Sequence, residues 1–487
     1  MPNLGYGRID HWGLIYAQYS VGKTKHPKDN CQLMKCFLFT QNVRCGRFVG
    51  TTNPLRILPV FLFVVVFASC GTTYATSPFS PKSINEVRFR DRSQSKYDNA
   101  VRVTIAVPTG EETEAIFGAN LAGKDIQPVW VKVENHGDRA YNLVSAVVDP
   151  NYYSPNEASF AVHGGLSDTE KKEMEYHFRS MIFKNPIPPD TAVSGFFFTN
   201  LDEGEKVVHI EIIGNQEFKT FTFFVQIPGM RVDYRLVDFD TLYSDNVIVD
   251  LSREELKEAL EKVPCCTTNE DGTKFGDPLN LVIVGNFSDV AGSFVQRGWV
   301  PAEETYSAAV WKTIKSYLFS SRYRYSPISS LYFAGRHQDF ARQKPRHDIH
   351  QRNHLRLWYS PMRHEGKPVF VGQVSRDIGV RYTTKTWPPV THKIDPDVDE
   401  AREAVIEDLL FSNTISSIGF VKGVGRATPS KPRENLTGDP YFTDGLRAVI
   451  ILDPGPTSLN QIRSLDWESP NTFRFGDLDE DSKSDRK

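Results

Sequence analysis

The stretch Leu55-Arg-Ile-Leu-Pro-Val-Phe-Leu-Phe-Val-Val-Val-Phe-Ala-Ser-Cys70 constrains this chain more than any other. From Ile57 to Phe67 it carries no charge, and Arg44, Arg47 and Arg56 precede it. A positive segment feeding an apolar one that ends in small residues is the pattern of an export signal. The apolar run is too short to span a bilayer, which takes about 20 apolar residues. Its alternative reading is a buried strand of a folded core. As an export signal it places everything beyond Cys70 outside the cytoplasm.

The ending Phe67-Ala-Ser-Cys70-Gly71 resembles a bacterial lipobox, in which cleavage precedes a cysteine that is then acylated. Phe67 stands where Leu or Val is usual. Residues 1–70 are therefore expected to be a leader with a lipoprotein-type signal, and Cys70 the lipidation site. Met34-Lys35 begins a more ordinary signal peptide than Met1 does. The mature chain is expected in the cell envelope, lipid-anchored and facing the periplasm or exterior.

Beyond the leader the chain is acidic. The formal charge is −3, and residues 1–56 hold 8 Lys/Arg against 2 Asp/Glu, which leaves −9 for the rest. Nucleic acid demands a clustered basic footprint, so no nucleic-acid partner is expected. Nor would this charge hold the chain on an anionic membrane, so the lipid must supply the attachment. Cys31, Cys36 and Cys45 fall in the leader. Cys265 and Cys266 are adjacent, a vicinal pair open to two thiols, a strained ring or disulfides to a partner.

Thr72 to Lys96 is rich in Ser, Thr and Pro, and residues 71–99 are expected to form a flexible spacer. The text then becomes strand-like. Val101, Val103, Ile105 and Val107 recur at a period of two, and Val129 to Glu134 repeats the pattern before the Asn135-His-Gly-Asp138 turn. Further strands are expected over Leu143–Val148, Gly195–Thr199, Val207–Ile213 and Thr220–Ile227. This spacing predicts an immunoglobulin-like β-sandwich over residues 100–228, with one inserted helix from Asp168 to Met181. His136, His163, His177 and His209 are scattered across it and are read as surface residues.

A connector over residues 229–264 carries one helix, opened by the capping box Ser252-Arg-Glu-Glu255 and stopped by Pro264. Residues 265–454 mix strands and helices without strict alternation. An apolar strand at Leu279–Val284 precedes helices at Ser288–Arg297 and Pro301–Phe319. A hairpin pairs His354–Tyr359 with Pro368–Ser375, and a helix at Val398–Phe411 leads to strands near Ile418–Val421 and Arg447–Leu452. The fold class expected is thus multidomain, an immunoglobulin-like β-sandwich followed by an α+β domain with a mostly antiparallel sheet. Residues 455–487 are expected to be a disordered acidic tail.

The richest polar cluster is His347-Asp-Ile-His-Gln-Arg-Asn-His354-Leu-Arg356-Leu-Trp358. On a strand His354, Arg356 and Trp358 share one face, and Leu355 and Leu357 the other. The partner strand ends Val374-Ser375-Arg376-Asp377, and Thr391-His392-Lys-Ile-Asp395-Pro-Asp397 follows. Catalytic candidates are therefore His354, Arg356, Ser375, Asp377 and His392. His354 and His392 with Asp377, Asp395 or Asp397 could ligate a metal, and Arg356 or Arg336 could hold a phosphate. None of this has the spacing of His-Glu-x-x-His, and Ser375 lacks a Gly-x-Ser-x-Gly elbow. No cofactor is specified. The competing account is a buried network, with Arg356 paired to Asp377 and His354 tied to a backbone carbonyl. Asp397, Asp399 and Glu400 are explained equally well by the exposed N–H groups at a helix start.

Several separated motifs also carry a resemblance. They are Cys266-Thr-Thr-Asn-Glu-Asp-Gly272, Gly276-Asp-Pro-Leu-Asn-Leu-Val-Ile-Val-Gly285, Gly298-Trp299, His354-Leu-Arg-Leu-Trp358, Val371-Gly-Gln-Val-Ser-Arg-Asp377, His392-Lys-Ile-Asp-Pro-Asp-Val-Asp399 and Tyr441-Phe-Thr-Asp-Gly445. Together, from about Cys265 to Pro454, the chain resembles the LssY-like C-terminal domain family. That resemblance implies a membrane setting, since the domain often accompanies membrane proteins, and it implies no established reaction. The expected function is a binding or envelope-assembly component with a possible envelope protein partner. The alternative is a lipid-tethered hydrolase of phosphate or ester substrates using His354, Arg356, Asp377 and His392. Replacing Cys70 by Ala should abolish acyl labelling and release or misprocess the protein. Unchanged membrane fractionation with an intact leader would instead indicate an uncleaved anchor.

Overall fold

A computed structural model describes residues 79–470, apart from 203–204, 228–236, 238, 240, 303–329, 346–350, 383–389 and 454. Cys70, the leader, nearly all of the helix expected over Pro301–Phe319 and the end of the tail lie outside these residues.

Two antiparallel sheets face each other in the first region. One runs β1 (Gln94–Asp98), β2 (Val101–Ala106), β3 (Ile126–Asn135) and β5 (Thr191–Asn200); the other joins β4 (Asn142–Leu143), β6 (Glu205–Ile213) and β7 (Phe218–Gln226). The alternation read in the sequence is what closes them. Val101, Val103, Ile105, Val129, Val131 and Val133 meet Val208, Ile210, Ile212, Phe221 and Phe223 in one core. The first sheet is apolar on its other face too, where Trp130, Phe196 and Phe198 pack on Phe117, Met174 and Phe178. Those residues come from α1 (Gly110–Phe117) and α4 (Asp168–Met181), making a helical layer over the sheet. Burial on both faces explains why Gly195-Phe-Phe-Phe198 is a continuous apolar run rather than an alternating one.

The α4 helix has the expected bounds, with Met174 and Phe178 buried four residues apart and a Ser167/Glu170 capping box. Other expectations are corrected. Leu143–Val148 is not a strand: β4 ends at Leu143 and α2 (Ser145–Val148) follows. Three more helical segments than expected enter this region, because α1 and α3 (Pro155–Val162) are opened by Thr109/Glu112 and Ser154/Glu157 boxes. The spacer is folded from residue 79 onward, since Phe89 is wholly buried against Trp130 and β1 pairs with β2. His209 is not a surface residue but 4% exposed.

The C-terminal region is built on one large, mostly antiparallel sheet. The region's short first strands are β8 (Val249–Leu251), β9 (Cys266–Thr268), β10 (Phe275–Pro278), β11 (Leu281–Val284), β12 (Val300–Pro301), β13 (Tyr332–Phe333) and β14 (Arg336–His337), of which β9, β10, β13 and β14 form a separate small sheet in the order β10-β9-β13-β14. The rest are β15 (Phe340–Pro345), β16 (Gln351–His364), β17 (Lys367–Tyr382), β18 (Val390–Ile394), β19 (Ile415–Lys422), β20 (Arg433–Glu434), β21 (Pro440–Tyr441), β22 (Leu446–Leu452) and β23 (Arg463–Ser464). The large sheet's order is β12-β15-β16-β17-β11-β22-β19-β23, with β18 beside β17 and β8 beside β16. The β11–β22, β8–β16 and β19–β23 pairs are parallel. The described molecule is therefore a β-rich α+β protein. Residues 455–470, expected in the tail, instead supply β23 and bury Leu465, whose N–H donates to Ile418 O at 2.8 Å.

Helices α6 (Phe287–Gln296) and α7 (Val398–Leu410) cover one face of this sheet. Val290, Phe294, Ala401, Val405 and Leu409 lie on Leu281, Leu355, Leu357, Val374 and Ile450. The α6 helix also touches the first region: the Phe224 and Phe287 rings stack at 5.2 Å, and Gln296 Nε2 donates to Glu211 Oε1 at 2.5 Å.

The connector helix α5 (Arg253–Glu261) buries Leu256, Ala259 and Leu260. Its C-terminal carbonyls are gathered by one side chain. The Arg447 guanidinium, wholly buried on β22, donates to Leu260 O (2.5 Å), Val263 O (2.8 Å), Pro264 O (2.5 Å) and Leu279 O (2.7 Å). A cation at the helix C-terminus satisfies orphan carbonyls and complements the dipole. Arg447→Ala should cost about 3 kcal/mol or more in urea unfolding, and Arg447→Lys should recover less than half, since an ammonium has no fork. A loss near zero for Arg447→Ala would refute this role.

Candidate functional site

The β16–β17 hairpin has two unlike faces. Its register sets Arg352 opposite Asp377, His354 opposite Ser375, Arg356 opposite Gln373 and Trp358 opposite Val371. Strand alternation sends these residues to the face away from α6 and α7, while Leu355, Leu357 and Val374 go beneath the helices. The polar face is not solvated: Arg352, His354, Arg356, Gln373, Ser375 and Asp377 are each at most 6% exposed. A buried charge without partners is costly, so these groups must satisfy one another.

Asp377 is where they meet. Its Oδ2 lies 2.5 Å from His354 Nε2, 3.5 Å from Arg352 Nε and 3.4 Å from His392 Nδ1. Arg352 also donates to Gln343 Oε1 at 2.5 Å and faces His392 Nε2 at 3.4 Å. Burial would raise the Asp377 carboxyl, but His354, His392 and Arg352 overcome it and hold it well below the usual carboxylate range. Burial pushes the His354 imidazole down to about 4; Asp377 opposes this and the Arg352 and Arg356 charges reinforce it. His354 is therefore neutral near pH 7, its Nε2–H donated to Asp377, and its buried Nδ1 has no hydrogen-bond partner.

Three of the four residues expected to converge thus do so around one carboxylate, with Arg356 beside them. The pairing differs from expectation. Asp377 is taken by Arg352, four residues before Arg356 on the same face, and Arg356 Nη1 donates to Gln373 Oε1 at 2.8 Å. The Arg356 charge also acts on the Asp277 carboxyl, which burial raises against the pull of Arg356 and which accepts from Asn435 Nδ2 at 3.1 Å. His354 is tied to Asp377 rather than to a carbonyl.

The expected metal set does not assemble. His354 Nε2 and His392 Nδ1 both close on Asp377 Oδ2 itself. Asp397 caps α7 by accepting from Asp399 N at 3.2 Å, and Asp395 accepts from Asp397 N at 3.1 Å. Among the described residues no group of three His, Cys, Asp or Glu side chains is placed to hold a metal. Arg336 is likewise elsewhere, paired with Asp339, whose carboxyl burial raises to about 6. Cys265 and Cys266 are joined to each other, with Cys266 Sγ 3.8 Å from the Tyr441 hydroxyl.

Sequence reasoning passed over Arg352, Gln343, Gln373, Asp277 and Asn280. Arg352 and Gln373 were visible through alternation once the hairpin register was assumed, whereas Gln343 comes from the neighbouring strand β15. Asn280 had no such signal: its side chain donates to Val374 O (3.1 Å) and Val398 O (3.2 Å) and accepts from Val374 N (3.0 Å).

Compared with known families, residues 257–446 match the one described as LssY C-terminus. The matched segment runs from within α5 to the first residue of β22 and contains the whole Asp377 cluster. No curated protein matches the chain.

The unfolded imidazole titrates near its ordinary 6.5 and the folded one about 4. Between these values the unfolded chain binds more protons, so stability falls as pH drops through that window. Wild-type protein should lose on the order of 2 kcal/mol of unfolding free energy from pH 6.5 to 4 through this group, a loss that His354→Gln should lack. Parallel urea titrations at both pH values check it, and an equal loss of unfolding free energy in the wild type and in His354→Gln would refute it.

Proposed function

We propose, from the LssY C-terminus match over residues 257–446, that this chain is an exported lipoprotein that acts as a binding or assembly component of the cell envelope. The observation that carries this reading is the enclosure of Asp377, whose carboxylate is met by Arg352, His354 and His392 within 3.5 Å inside the sheet. Groups so engaged with one another stabilise a scaffold; they are not laid open to a reactant. The signal-like sequence ending at Cys70 supports the envelope setting, and the membrane company of the resembled family supports it independently. The paired sheets over residues 94–226 fit an immunoglobulin-like layer that spaces the C-terminal region from the anchor. No helix among the described residues is long and apolar enough to cross a membrane, so the tether at Cys70 carries the attachment in this reading.

One observation favours a second reading, a lipid-tethered hydrolase of phosphate or ester substrates. His354 offers an unpartnered Nδ1 while a carboxylate orients its other nitrogen, which is the arrangement of a general base. Chromogenic phosphate monoester, phosphate diester and carboxyl ester substrates separate the two. The scaffold reading expects no turnover that His354→Gln removes. Turnover lost in His354→Gln, with near-ultraviolet circular dichroism unchanged, would establish the hydrolase instead.

A further inference from the structure

A cavity of about 370 Å³ lies between the second sheet of the first region and the C-terminal region, walled by β6 on one side and by α6 and the chain after α7 on the other. Its size falls within the roughly 300–1,000 Å³ of small-molecule sites, and contacts between structural layers are where such sites concentrate. The wall is built rather than incidental. A Cβ on Gly292 would lie 2.5 Å from His209 Nδ1, so α6 approaches β6 this closely only because that position is glycine. His209, 4% exposed, is held by Thr222 Oγ1 at 2.7 Å through Nδ1. Its Nε2 has no hydrogen bond and stands 3.5 Å from Glu211 Oε1.

The charges around the cavity are unbalanced. Arg297 is engaged at 3.8 Å by Asp408, outside the lining, and sits over the Phe411 ring at 5.6 Å. Asp453 has Lys367 as its partner. Among the described residues Glu211 and Asp289 have no Lys or Arg at ion-pair distance; their hydrogen-bond donors are the neutral amides of Gln296 (2.5 Å) and Asn286 (3.2 Å), and Lys367 and Lys96 act on Asp289 from further off. Burial raises the Asp289 carboxyl above its ordinary range, opposed by the Asn286 bond and by the charges of His209, Lys367 and Lys96. A cation entering here would meet two carboxyls that no Lys or Arg engages at ion-pair distance among the described residues, in a partly desolvated space where ionic contacts are stronger than in water. Val147 and Phe218 give the cavity an apolar side.

We propose that this cavity binds a small amphipathic organic cation, an ammonium set against Glu211 and Asp289 with a short apolar body against Val147 and Phe218. The proposal is independent of the Asp377 cluster. Isothermal titration of the full chain with hexylamine, hexanol and hexanoate tests it. Hexylamine should bind at least tenfold more tightly than hexanol, and hexanoate should bind more weakly than either. Asp289→Asn should weaken hexylamine at least fivefold and leave hexanol unchanged. The wild-type ranking stands alone if that variant does not fold. Absence of binding by all three up to millimolar concentration, or hexanol or hexanoate binding as tightly as hexylamine, would overturn the proposal.

Discussion

Asp377 is the charge around which the C-terminal sheet closes. The β16–β17 hairpin is buried on both faces, and one of those faces carries two arginines and a histidine. Taking such groups out of water costs several kcal/mol per ion unless opposite charge and hydrogen bonds replace the solvent. One carboxylate answers for Arg352, His354 and His392 at once. His354 is kept neutral chiefly by its burial, and the Arg352 and Arg356 charges add to this. The hairpin register is thereby specified twice. A one-residue slip would put leucines into the polar cluster and arginines under the helices.

A second set of buried polar contacts fixes what lies beside the hairpin. Asn280 bonds backbone groups of β17 and of the first residue of α7, and Arg447 bonds carbonyls of α5, of the turn after it and of Leu279. Arg402 on α7 forks to Asp444 at 2.9 and 3.0 Å. Each reaches backbone or charge more than 40 residues away in sequence. Such long-range contacts convert a stack of short strands into one arrangement, because an apolar core alone tolerates several packings.

The α6 helix serves two cores. Its one side lies on the central sheet through Val290 and Phe294, while Phe287, Gly292 and Gln296 meet the first region. The period-two text and the mixed text are thus two sheet systems sharing a helix, and the cavity beside His209 arises where the shared helix leaves their surfaces unfilled.

The sequence determined the local elements. The α4 and α5 helices, the hairpin and the α7 helix follow from capping residues and hydrophobic spacing, which act within a few residues of the chain. The same signals at Thr109 and Ser154 would have given α1 and α3. Co-facing of His354 and Arg356 was legible for the same reason, since alternation is local. Partner choice was not. Whether Asp377 meets Arg352 or Arg356 depends on the register of a hairpin, unbroken from Gln351 to Tyr359, and on where β18 brings His392. Burial of the polar face was equally invisible, because the segments that cover it lie far off in sequence. His209 read as a surface residue until α6, some 80 residues on, closed over it with a glycine at the point of contact. Short-range sterics and patterning are written into neighbouring residues; desolvation and charge pairing are decided only when distant strands meet.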